Sequence, residues 1–149
     1  VMNKKTGFLY ENIILITNQI EGKFPDYKMV IPKETNYNIL VSKDEFSEII
    51  RSLAPFFTGD IQKVSLSFEP ELLKVFTEET ESGKGENSME IDYQGEAFET
   101  AFSFKYLQDI ISVIAEDQIY IKFFEPEKPA IFVGKENDSF LFVTVPITR

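Results

Sequence analysis

Carboxylates are the side chains with which this sequence could do chemistry. Its 149 residues include 25 Asp and Glu, 15 Lys and Arg, and no His or Cys. Without His and Cys, the chain has no thiol nucleophile, no His-based triad, no zinc finger and no His-ligated metal. An enzyme of this composition would need a pair of carboxylates, as in glycosidases. The acidic residues are scattered over strands, turns and the 78–86 loop, and no spacing brings two of them together. The sequence therefore predicts a non-catalytic protein with no cofactor and no metal.

Charge and hydropathy narrow the range of partners and compartments. The formal net charge of −10 argues against nucleic acid as a direct partner, because phosphate binding needs clustered Lys and Arg. No apolar run approaches the roughly 18 residues that span a bilayer, and the start has no signal-peptide layout. The absence of Cys excludes disulfides, so these features permit a reducing cytoplasm without requiring one. Because the chain begins at Val1 and not at Met, we expect it to be a fragment or a trimmed product of a longer protein.

The segment 22–32 is the strongest candidate for a binding surface. Pro25 and Pro32 exclude it from a central strand or the middle of a helix, because proline fixes φ and lacks an N–H. The segment also carries more apolar and aromatic side chains than a solvated linker, namely Phe24, Tyr27, Met29, Val30 and Ile31. Two interpretations remain open: a linker that packs onto the domain it leads into, or one wall of a groove that receives a partner.

The elements that would position this segment are a hairpin and an internal repeat. Apolar runs at 8–10 and 13–17 flank Glu11 and Asn12, which predicts a hairpin that is too small to be stable alone. Residues 41–54 align without gaps on residues 102–115. Both stretches carry apolar residues at the i, i+3, i+4, i+7 spacing of a helix with one buried stripe.

Local signals complete the prediction of the fold. Ser42 and Ser103 are candidate N-caps, and Ser42 with Glu45 matches a capping box. Strands precede and follow each helix in the same order, so each half is predicted as βαβββ. The two halves give an α+β domain with two helices on one side of a largely antiparallel sheet system. The polar, Gly-rich stretch 80–87 predicts a mobile loop. Its Gly-x-Gly is not a phosphate cradle, because no strand-then-helix frame surrounds it.

Two segments carry a resemblance to a known family. Residues 22–27, Gly-Lys-Phe-Pro-Asp-Tyr, resemble the signature that opens the last domain of the bacterial DNA polymerase III beta subunit, the sliding clamp. Residues 142–149, Phe-Val-Thr-Val-Pro-Ile-Thr-Arg, resemble that family's terminus. The resemblance implies a DNA-clamp domain of two βαβββ repeats, with helices on the inner face and antiparallel sheets outside. It also implies that 1–23 is the last hairpin of the middle clamp domain and 24–149 is the C-terminal clamp domain.

In this family the two segments lie side by side and form a peptide-binding pocket. The resemblance implies a pocket wall of Pro25, Met29, Val30, Val143, Val145, Pro146 and Ile147, and a rim of Ser103, Tyr106, Pro129 and Thr148. Family partners insert a short motif, a Gln followed by Leu and Phe. Family members often have a basic residue at the position of Met29 and an Arg at that of Thr148, which leaves the preferred partner open. From the residues alone, Val143 and Val145 are also compatible with an ordinary core.

The resemblance further implies how the full-length protein assembles on DNA. Two chains would close a ring head to tail, with a contact that includes Pro55, Phe56, Glu81 and Glu86. A Phe56 that only caps the local core is the alternative. The ring would encircle double-stranded DNA and touch its phosphates loosely through Lys43, Arg51 and Lys105, although mixed charge on a helix is usually a solvated face.

The function implied by the resemblance is that of a processivity factor. It would tether the DNA polymerase III alpha subunit, the clamp loader and repair polymerases to DNA in the bacterial cytoplasm, at the nucleoid, and tethering requires no chemistry. The alternative function is a β-rich peptide-binding adaptor that is unrelated to replication.

Overall fold

The computed structural model describes residues 4–57, 62–81, 83–136 and 140–147. Its first element is the hairpin predicted from the sequence, in which β1 (Lys5–Tyr10) pairs antiparallel with β2 (Ile13–Asn18). Glu11, with a φ of 49°, and Asn12 form the turn. The hairpin is a two-stranded sheet of its own, and its seven large apolar side chains are each 57–73% exposed. Both faces of the hairpin are therefore open.

Two βαβββ units follow the hairpin, and they confirm the predicted α+β fold. The first unit consists of β3 (Tyr37–Ser42), α1 (Lys43–Ser52), β4 (Lys63–Glu69), β5 (Leu72–Phe76) and β6 (Glu86–Glu90). The second unit consists of β7 (Phe98–Ser103), α2 (Phe104–Val113), β8 (Gln118–Phe123), β9 (Ala130–Gly134) and β10 (Leu141–Thr144). A short 3-10 turn at Tyr27–Met29 precedes the first unit, and a second one at Ala54–Phe56 follows α1 within it.

The two repeats exchange their first strands. One antiparallel sheet has the order β10-β9-β8-β3, and the other has the order β6-β5-β4-β7. In this register Ile39 of the first repeat lies opposite Ile121 of the second, and Leu66 of the first lies opposite Thr100 of the second. Neither sheet is complete without a strand from the other repeat, so the two repeats form one domain.

The helix starts lie where the sequence predicted them, but they are stabilised differently. Ser42 and Ser103 are the N-cap residues, yet neither side chain makes a cap hydrogen bond, so the predicted capping box with Glu45 does not form. Instead, the Lys43 N–H donates to the Asp117 carbonyl at 2.9 Å, and the Phe104 N–H donates to the Gln62 carbonyl at 2.8 Å. The first free N–H of each helix is therefore bonded to a backbone carbonyl outside that helix.

The core lies between the helices and the sheets, and aromatic rings join the two sheets. The predicted helix stripes are buried, at Phe46, Ile49 and Ile50 of α1 and Leu107, Ile110 and Ile111 of α2. Five phenylalanine rings with centroids 4.8–6.3 Å apart connect the sheets, with Phe68, Phe98 and Phe102 from one and Phe123 and Phe132 from the other. The sheets therefore share one continuous core.

The turn between β4 and β5 contains a residue in a conformation that favours glycine. Pro70 and Glu71 connect the strands, as the Glu-Pro signal at 69–70 predicted, and Glu71 has a φ of 63°.

Replacing Glu71 with glycine removes the cost of the left-handed conformation, which is roughly 1–2 kcal/mol for a non-glycine residue. About half of that gain is lost, because glycine has greater chain entropy in the unfolded state. We expect Glu71→Gly to raise the free energy of unfolding by about 0.5–1 kcal/mol in urea denaturation. Glu81→Gly, in a turn where φ is not positive, is the control and should lower it. Equal losses in both variants would contradict the prediction.

Candidate peptide-binding groove

An apolar groove runs between α2 and the end of β10. Four of its lining residues come from successive turns of α2, and the rest are residues 142–145; the helix residues are Tyr106, Asp109, Ile110 and Val113. Their i, i+3, i+4, i+7 spacing places them on one side of α2. The groove has a volume of about 490 Å³. Tyr106, Val113 and Val145 are 57%, 62% and 66% exposed, so these apolar side chains are available to a ligand.

A second cavity lies on the other side of the last described residues. Pro146 and Ile147 line it together with residues of β4, β7 and the turn before β9, and its volume is about 290 Å³. The Ile147 N–H donates to the Ala101 carbonyl at 2.7 Å, so the chain crosses from the edge of one sheet to the edge of the other. Pro146 is buried at this crossing. Val145 belongs to the groove, while the next two residues belong to the second cavity.

The structure brings some of the implied pocket residues together and leaves others apart. Tyr106, Val143 and Val145 line the groove, whereas Pro146 and Ile147 line the second cavity. Ser103 is the N-cap of α2, and Pro129 is a half-buried residue that precedes β9; neither lines either cavity. Thr148 lies outside the described residues.

The segment 22–30 does not reach the groove. Pro25, Met29 and Val30 line neither cavity, and Met29 is 83% exposed. The hydrogen bonds of this segment are local: the Lys28 N–H donates to a side-chain oxygen of Asp26, and the Met29 N–H donates to the Asp26 carbonyl. A local 3-10 turn therefore orders these residues without fixing them against the domain.

Sequence reasoning did not identify five groove residues, namely Asp109, Ile110, Val113, Phe142 and Thr144. A signal for part of this set was present, because the apolar residues Tyr106 and Val113 lie beside Ile110 and widen the core stripe of α2 on one side. Asp109 is the one charged residue that lines the described part of the groove.

The residues implied for a ring contact lie on one surface. Pro55 is exposed in the turn after α1, and the half-buried Phe56 packs against Gly85, where a Cβ would lie 2.5 Å from its ring. Glu81 is in the turn that begins with Thr80, and Glu86 begins β6, an edge strand. The stretch 80–87, predicted as a mobile loop, thus contains a turn and the first two residues of β6. Residue 82 lies outside the described residues.

Lys84 stabilises the ionised form of Glu86. A hydrogen bond from the Lys84 Nζ at 2.7 Å, together with the positive charge of that ammonium, lowers the pKa of Glu86 below its ordinary value. Glu86 is therefore ionised at neutral pH, and the Lys84 ammonium beside it balances its charge, so the pair adds no net charge to the open edge of β6.

The residues implied for DNA contact are not equivalent. The Lys43 Nζ donates to the Ile114 carbonyl at 2.7 Å, so this half-buried ammonium already binds the end of α2. Arg51 and Lys105 are exposed. A cleft of about 590 Å³ between the helices holds Arg51 and Lys43 together with Asp44 and Glu48. The mixed charge of this cleft gives little net attraction for phosphates.

The described residues contain neither a membrane-spanning helix nor a cluster of metal ligands. No helix within them has the length and hydropathy to cross a membrane. No group of three or more acidic side chains in this part of the chain is arranged to hold a metal ion.

Comparisons with known proteins identify the fold and the family. A family model described as DNA polymerase III beta subunit, C-terminal domain, matches residues 28–148. The beta sliding clamp of Caulobacter vibrioides (strain NA1000 / CB15N) is 29% identical over 147 residues, which cover 99% of this chain and 40% of that protein. The beta sliding clamp of Chlamydia pneumoniae is 29% identical over 137 residues, which cover 92% of this chain and 37% of that protein.

Solved structures agree with the sequence relatives. The structure of Caulobacter crescentus pol III beta has a TM-score of 0.91 and 28% identity, and the match covers 100% of this chain and 40% of that one. A Bartonella birtlesii DnaN sliding clamp bound to griselimycin has a TM-score of 0.89 and 25% identity, with the same coverage. The chain spans about 40% of the length of the curated Caulobacter relative. Since the family model matches most of the chain, the protein belongs to the family defined by the C-terminal domain of the DNA polymerase III beta subunit.

Proposed function

We propose that the chain is the C-terminal part of a sliding clamp, a non-catalytic processivity factor for DNA replication in the bacterial cytoplasm, at the nucleoid. The full-length protein encircles double-stranded DNA and tethers the DNA polymerase III alpha subunit, the clamp loader and repair polymerases. The observation that carries this proposal is the apolar groove between α2 and β10, which contains Tyr106, Val143 and Val145. The family match does not support the alternative function, a peptide-binding adaptor that is unrelated to replication.

The groove has the properties of a site for a short linear motif. A few exposed apolar side chains surround a concave space of about 490 Å³, and Asp109 supplies the one charge in its described lining. Such sites bind through a few buried anchors, each worth about 2 kcal/mol or more. Val143 and Val145 supply apolar contact on the strand side, and Tyr106 supplies a ring and a hydroxyl on the helix side.

The test is a fluorescence-anisotropy titration with a labelled Gln-Leu-Ser-Leu-Phe peptide and its scrambled form. We expect saturable binding of the motif and a loss of at least about tenfold in affinity for Val145→Asp, because the variant places a charge in an apolar groove. Ile20→Asp changes a side chain that is 97% exposed and lies outside the groove, so it should bind as the wild type does. Equal affinity of Val145→Asp and Ile20→Asp would contradict the proposal.

One further variant decides the role of the segment 22–32. Val30 is 52% exposed and is not among the residues that line the groove, and we propose, from the resemblance to the family, that the segment contributes a wall to the bound peptide's site. In that case Val30→Asp weakens motif binding, while the same substitution at Ile20 has no effect. Wild-type affinity of Val30→Asp would assign the groove to α2 and β10 alone.

We further propose that residues 1–23 are the last hairpin of the preceding clamp domain and residues 24–149 are the C-terminal domain. Support comes from the hairpin, which forms a separate sheet with apolar side chains exposed on both faces. An isolated hairpin of this kind is marginal in water and needs further strands or a helix to cover it. The relatives are more than twice as long as this chain, which leaves room for that cover.

Ring closure and DNA contact complete the proposal. Phe56, Glu81 and Glu86 form a surface beside the open edge of β6, to which a strand of a partner chain can add. Arg51 and Lys105 are the exposed cations on the helices, so they are the proposed phosphate contacts of this domain. Lys43 contributes mainly to the contact between α1 and α2.

A further inference from the structure

The outward faces of the two sheets differ in chemistry although the repeats share one fold. In each strand the outward residues alternate with those that point into the core. In one sheet the register aligns four outward residues in a row across all four strands, and we call this the outer row: Leu40, Tyr120, Val133 and Leu141. The equivalent row of the other sheet consists of Ala101, Ser65, Phe76 and Glu86. One sheet thus has an apolar row where the other has a mixed one.

The outer row is partly open to solvent. Val133 is 6% exposed and forms its floor, Leu40 and Tyr120 are half-buried, and Leu141 is 43% exposed. An antiparallel sheet that covers a core with one face usually has a polar, solvated second face, so this apolar row is an exception. Its four residues are not among those that line the groove between α2 and β10. The outer row is therefore a surface separate from the groove.

A lysine lies on each side of the outer row. Lys122 is two residues beyond Tyr120 in β8, and Lys135 is two residues beyond Val133. The Lys135 N–H donates to the Gln118 carbonyl at 3.0 Å, so Lys135 continues the pairing of β9 with β8. Because these two strands are antiparallel, the two lysines lie on opposite sides of the row.

The two ammonium groups form no ion pair with a carboxylate in the described part of the chain. The Lys122 Nζ lies 5.1 Å from the centroid of the Tyr120 ring, and the Lys135 Nζ donates to the neutral side chain of Gln118 at 2.6 Å. Lys135 also borders an acidic cleft, which balances part of its charge. The acidic residues of that cleft are Glu116, Asp117 and Glu136. Lys122 is therefore the stronger attraction for a carboxylate.

The outward positions of this sheet are cationic. In β3, β8, β9 and β10, together with the adjoining Lys135, they carry two lysines and no Asp or Glu. Those of the other sheet carry two lysines and four glutamates, namely Lys63, Lys74, Glu69, Glu86, Glu90 and Glu99. Since the whole chain has a net charge of −10, the outer row lies on a locally cationic face of an acidic protein. Such a face favours an acidic partner.

Acidic residues approach the outer row at its β3 end. There Leu40 borders a cleft of about 640 Å³, whose acidic residues are Glu71, Glu90 and Asp92. The attraction for carboxylates is therefore limited to the middle of the row, where the two lysines lie beside β8 and β9.

A helix fits this surface better than an extended strand does. The outer row crosses strands whose backbone groups already pair with their neighbours, so a ligand there must satisfy its own backbone hydrogen bonds. The row spans three strand spacings, about 14 Å, which is the length of roughly ten helical residues. The two lysines are about 13 Å apart along the strands, which leaves room for a helix of about 10–12 Å diameter. A helix on the face also requires no free strand edge.

We propose that the outer row docks an amphipathic helix of another protein, with its apolar stripe across the four strands and carboxylates on its flanks beside Lys122 and Lys135. The inference goes beyond the function proposed for the groove, because it adds a second surface with a different partner chemistry. A footprint of about 14 by 13 Å is far smaller than the roughly 800 Å² per partner of a stable interface. The contact is therefore weak alone and adds to the affinity of a protein that is also held elsewhere on the chain.

The test titrates labelled helical peptides into the 149-residue chain. The Glu peptide has about four turns, a side-chain staple that stabilises the helix, leucines at the i, i+3, i+4, i+7 spacing, and Glu on both sides of that stripe. The Lys peptide carries Lys in place of each Glu. We expect the Glu peptide to bind at least about fivefold more tightly, from two partly exposed ion pairs. The net charge of the chain would favour the opposite order.

Lysine variants assign this preference to the outer row. Lys122→Gln should remove most of it, and the double variant Lys122→Gln, Lys135→Gln should remove all of it. The control is Lys63→Gln, Lys74→Gln, which makes the same change of charge at outward positions of the other sheet and should keep the preference. A preference that survives in the first double variant would overturn the inference, and so would its absence from the wild type.

Tyr120→Ser tests the apolar part of the contact. It should weaken binding of the Glu peptide by about threefold or more, because apolar area is no longer buried. Phe76→Ser is the control, because Phe76 is an outward aromatic residue of the other sheet and also has a lysine, Lys84, over its ring. Equal affinities of the two variants would contradict the inference. Circular dichroism checks that both are folded, and the lysine variants decide the question if one is not.

Competition separates the outer row from the groove. The Gln-Leu-Ser-Leu-Phe peptide should not displace the Glu peptide; displacement would place the helix in the groove and overturn the inference, while the groove proposal stands. If the Glu peptide does not bind, the inference falls whatever the motif peptide does. Sedimentation that shows a dimer of the wild-type chain, lost in Tyr120→Ser, would overturn the inference in favour of a second copy on the outer row.

Discussion

Replacing Phe123 with alanine is expected to lower the free energy of unfolding by about 3–5 kcal/mol. The Phe123 side chain is fully buried, and its ring lies 5.2 Å from that of Phe98 and 5.6 Å from that of Phe68. These two neighbours belong to the opposite sheet, so the substitution opens a cavity at the junction of both sheets. A domain of this size is stable by roughly 5–15 kcal/mol, so the loss is a large fraction of the total.

Urea denaturation followed by circular dichroism measures this effect. The midpoint of Phe123→Ala should fall by about 2 M, given a slope of roughly 1–3 kcal/mol per molar urea. Phe24→Ala is a matched control, because Phe24 is 78% exposed and its loss should change the free energy by less than about 0.5 kcal/mol. A midpoint for Phe123→Ala close to that of Phe24→Ala would show that the sheets do not depend on this ring.

Replacing Gly85 with alanine is expected to cost about 1–3 kcal/mol and to displace Phe56. A Cβ on Gly85 would lie 2.5 Å from Cδ2 of Phe56 and 3.0 Å from Cδ2 of Leu53, and Gly85 is buried. The backbone cannot shift freely, because the Gly85 N–H donates to the Thr77 Oγ1 and its carbonyl accepts from the Thr77 N–H. The ring of Phe56 must therefore move, and the proposed ring contact moves with it.

Gly134→Ala is the control for this prediction. A Cβ on Gly134 would lie 2.3 Å from the Glu116 carboxyl group, but that group ends a flexible side chain and can rotate away. We expect Gly134→Ala to be nearly neutral in urea denaturation, since alanine also has lower chain entropy than glycine in the unfolded state.

A double variant isolates the contact with Phe56. If the collision with Phe56 is the cause, Gly85→Ala should cost little in a Phe56→Ala background. An equal cost in both backgrounds would assign the effect to the backbone of Gly85 instead.

The repeat and its helices were predictable because their signals are local. The alignment of 41–54 on 102–115 and the buried stripes through Phe46 and Leu107 depend only on spacing within one element. The exchange of β3 and β7 was not predictable in the same way. Both repeats carry similar strands, so the polarity pattern of β3 is equally compatible with pairing inside its own repeat.

Of the residues implied for the groove, those near the end of the chain line it, whereas those in the segment 22–32 do not. Val143 and Val145 reach the groove because β10 pairs with β9 beside α2. Met29 does not reach it, because the apolar residues of its segment form a local turn instead of packing against the domain. Val113 was not predictable from the repeat, because it aligns with Ser52 of α1 and lies beside the apolar stripe that the two helices share.

The exchange of first strands has a consequence for the order of events during synthesis. Tyr37 of β3 pairs with Phe123 of β8, and Ser42 pairs with Gln118, so roughly 80 residues separate the partners. At about 5–20 residues per second, β3 leaves the ribosome roughly 4–16 s before β8 does. Contacts so distant in sequence close slowly, because chain entropy is lost before the pairing repays it. The apolar side chains of β3 therefore stay uncovered, and the sheet to which β3 belongs stays incomplete, until most of the domain has been made.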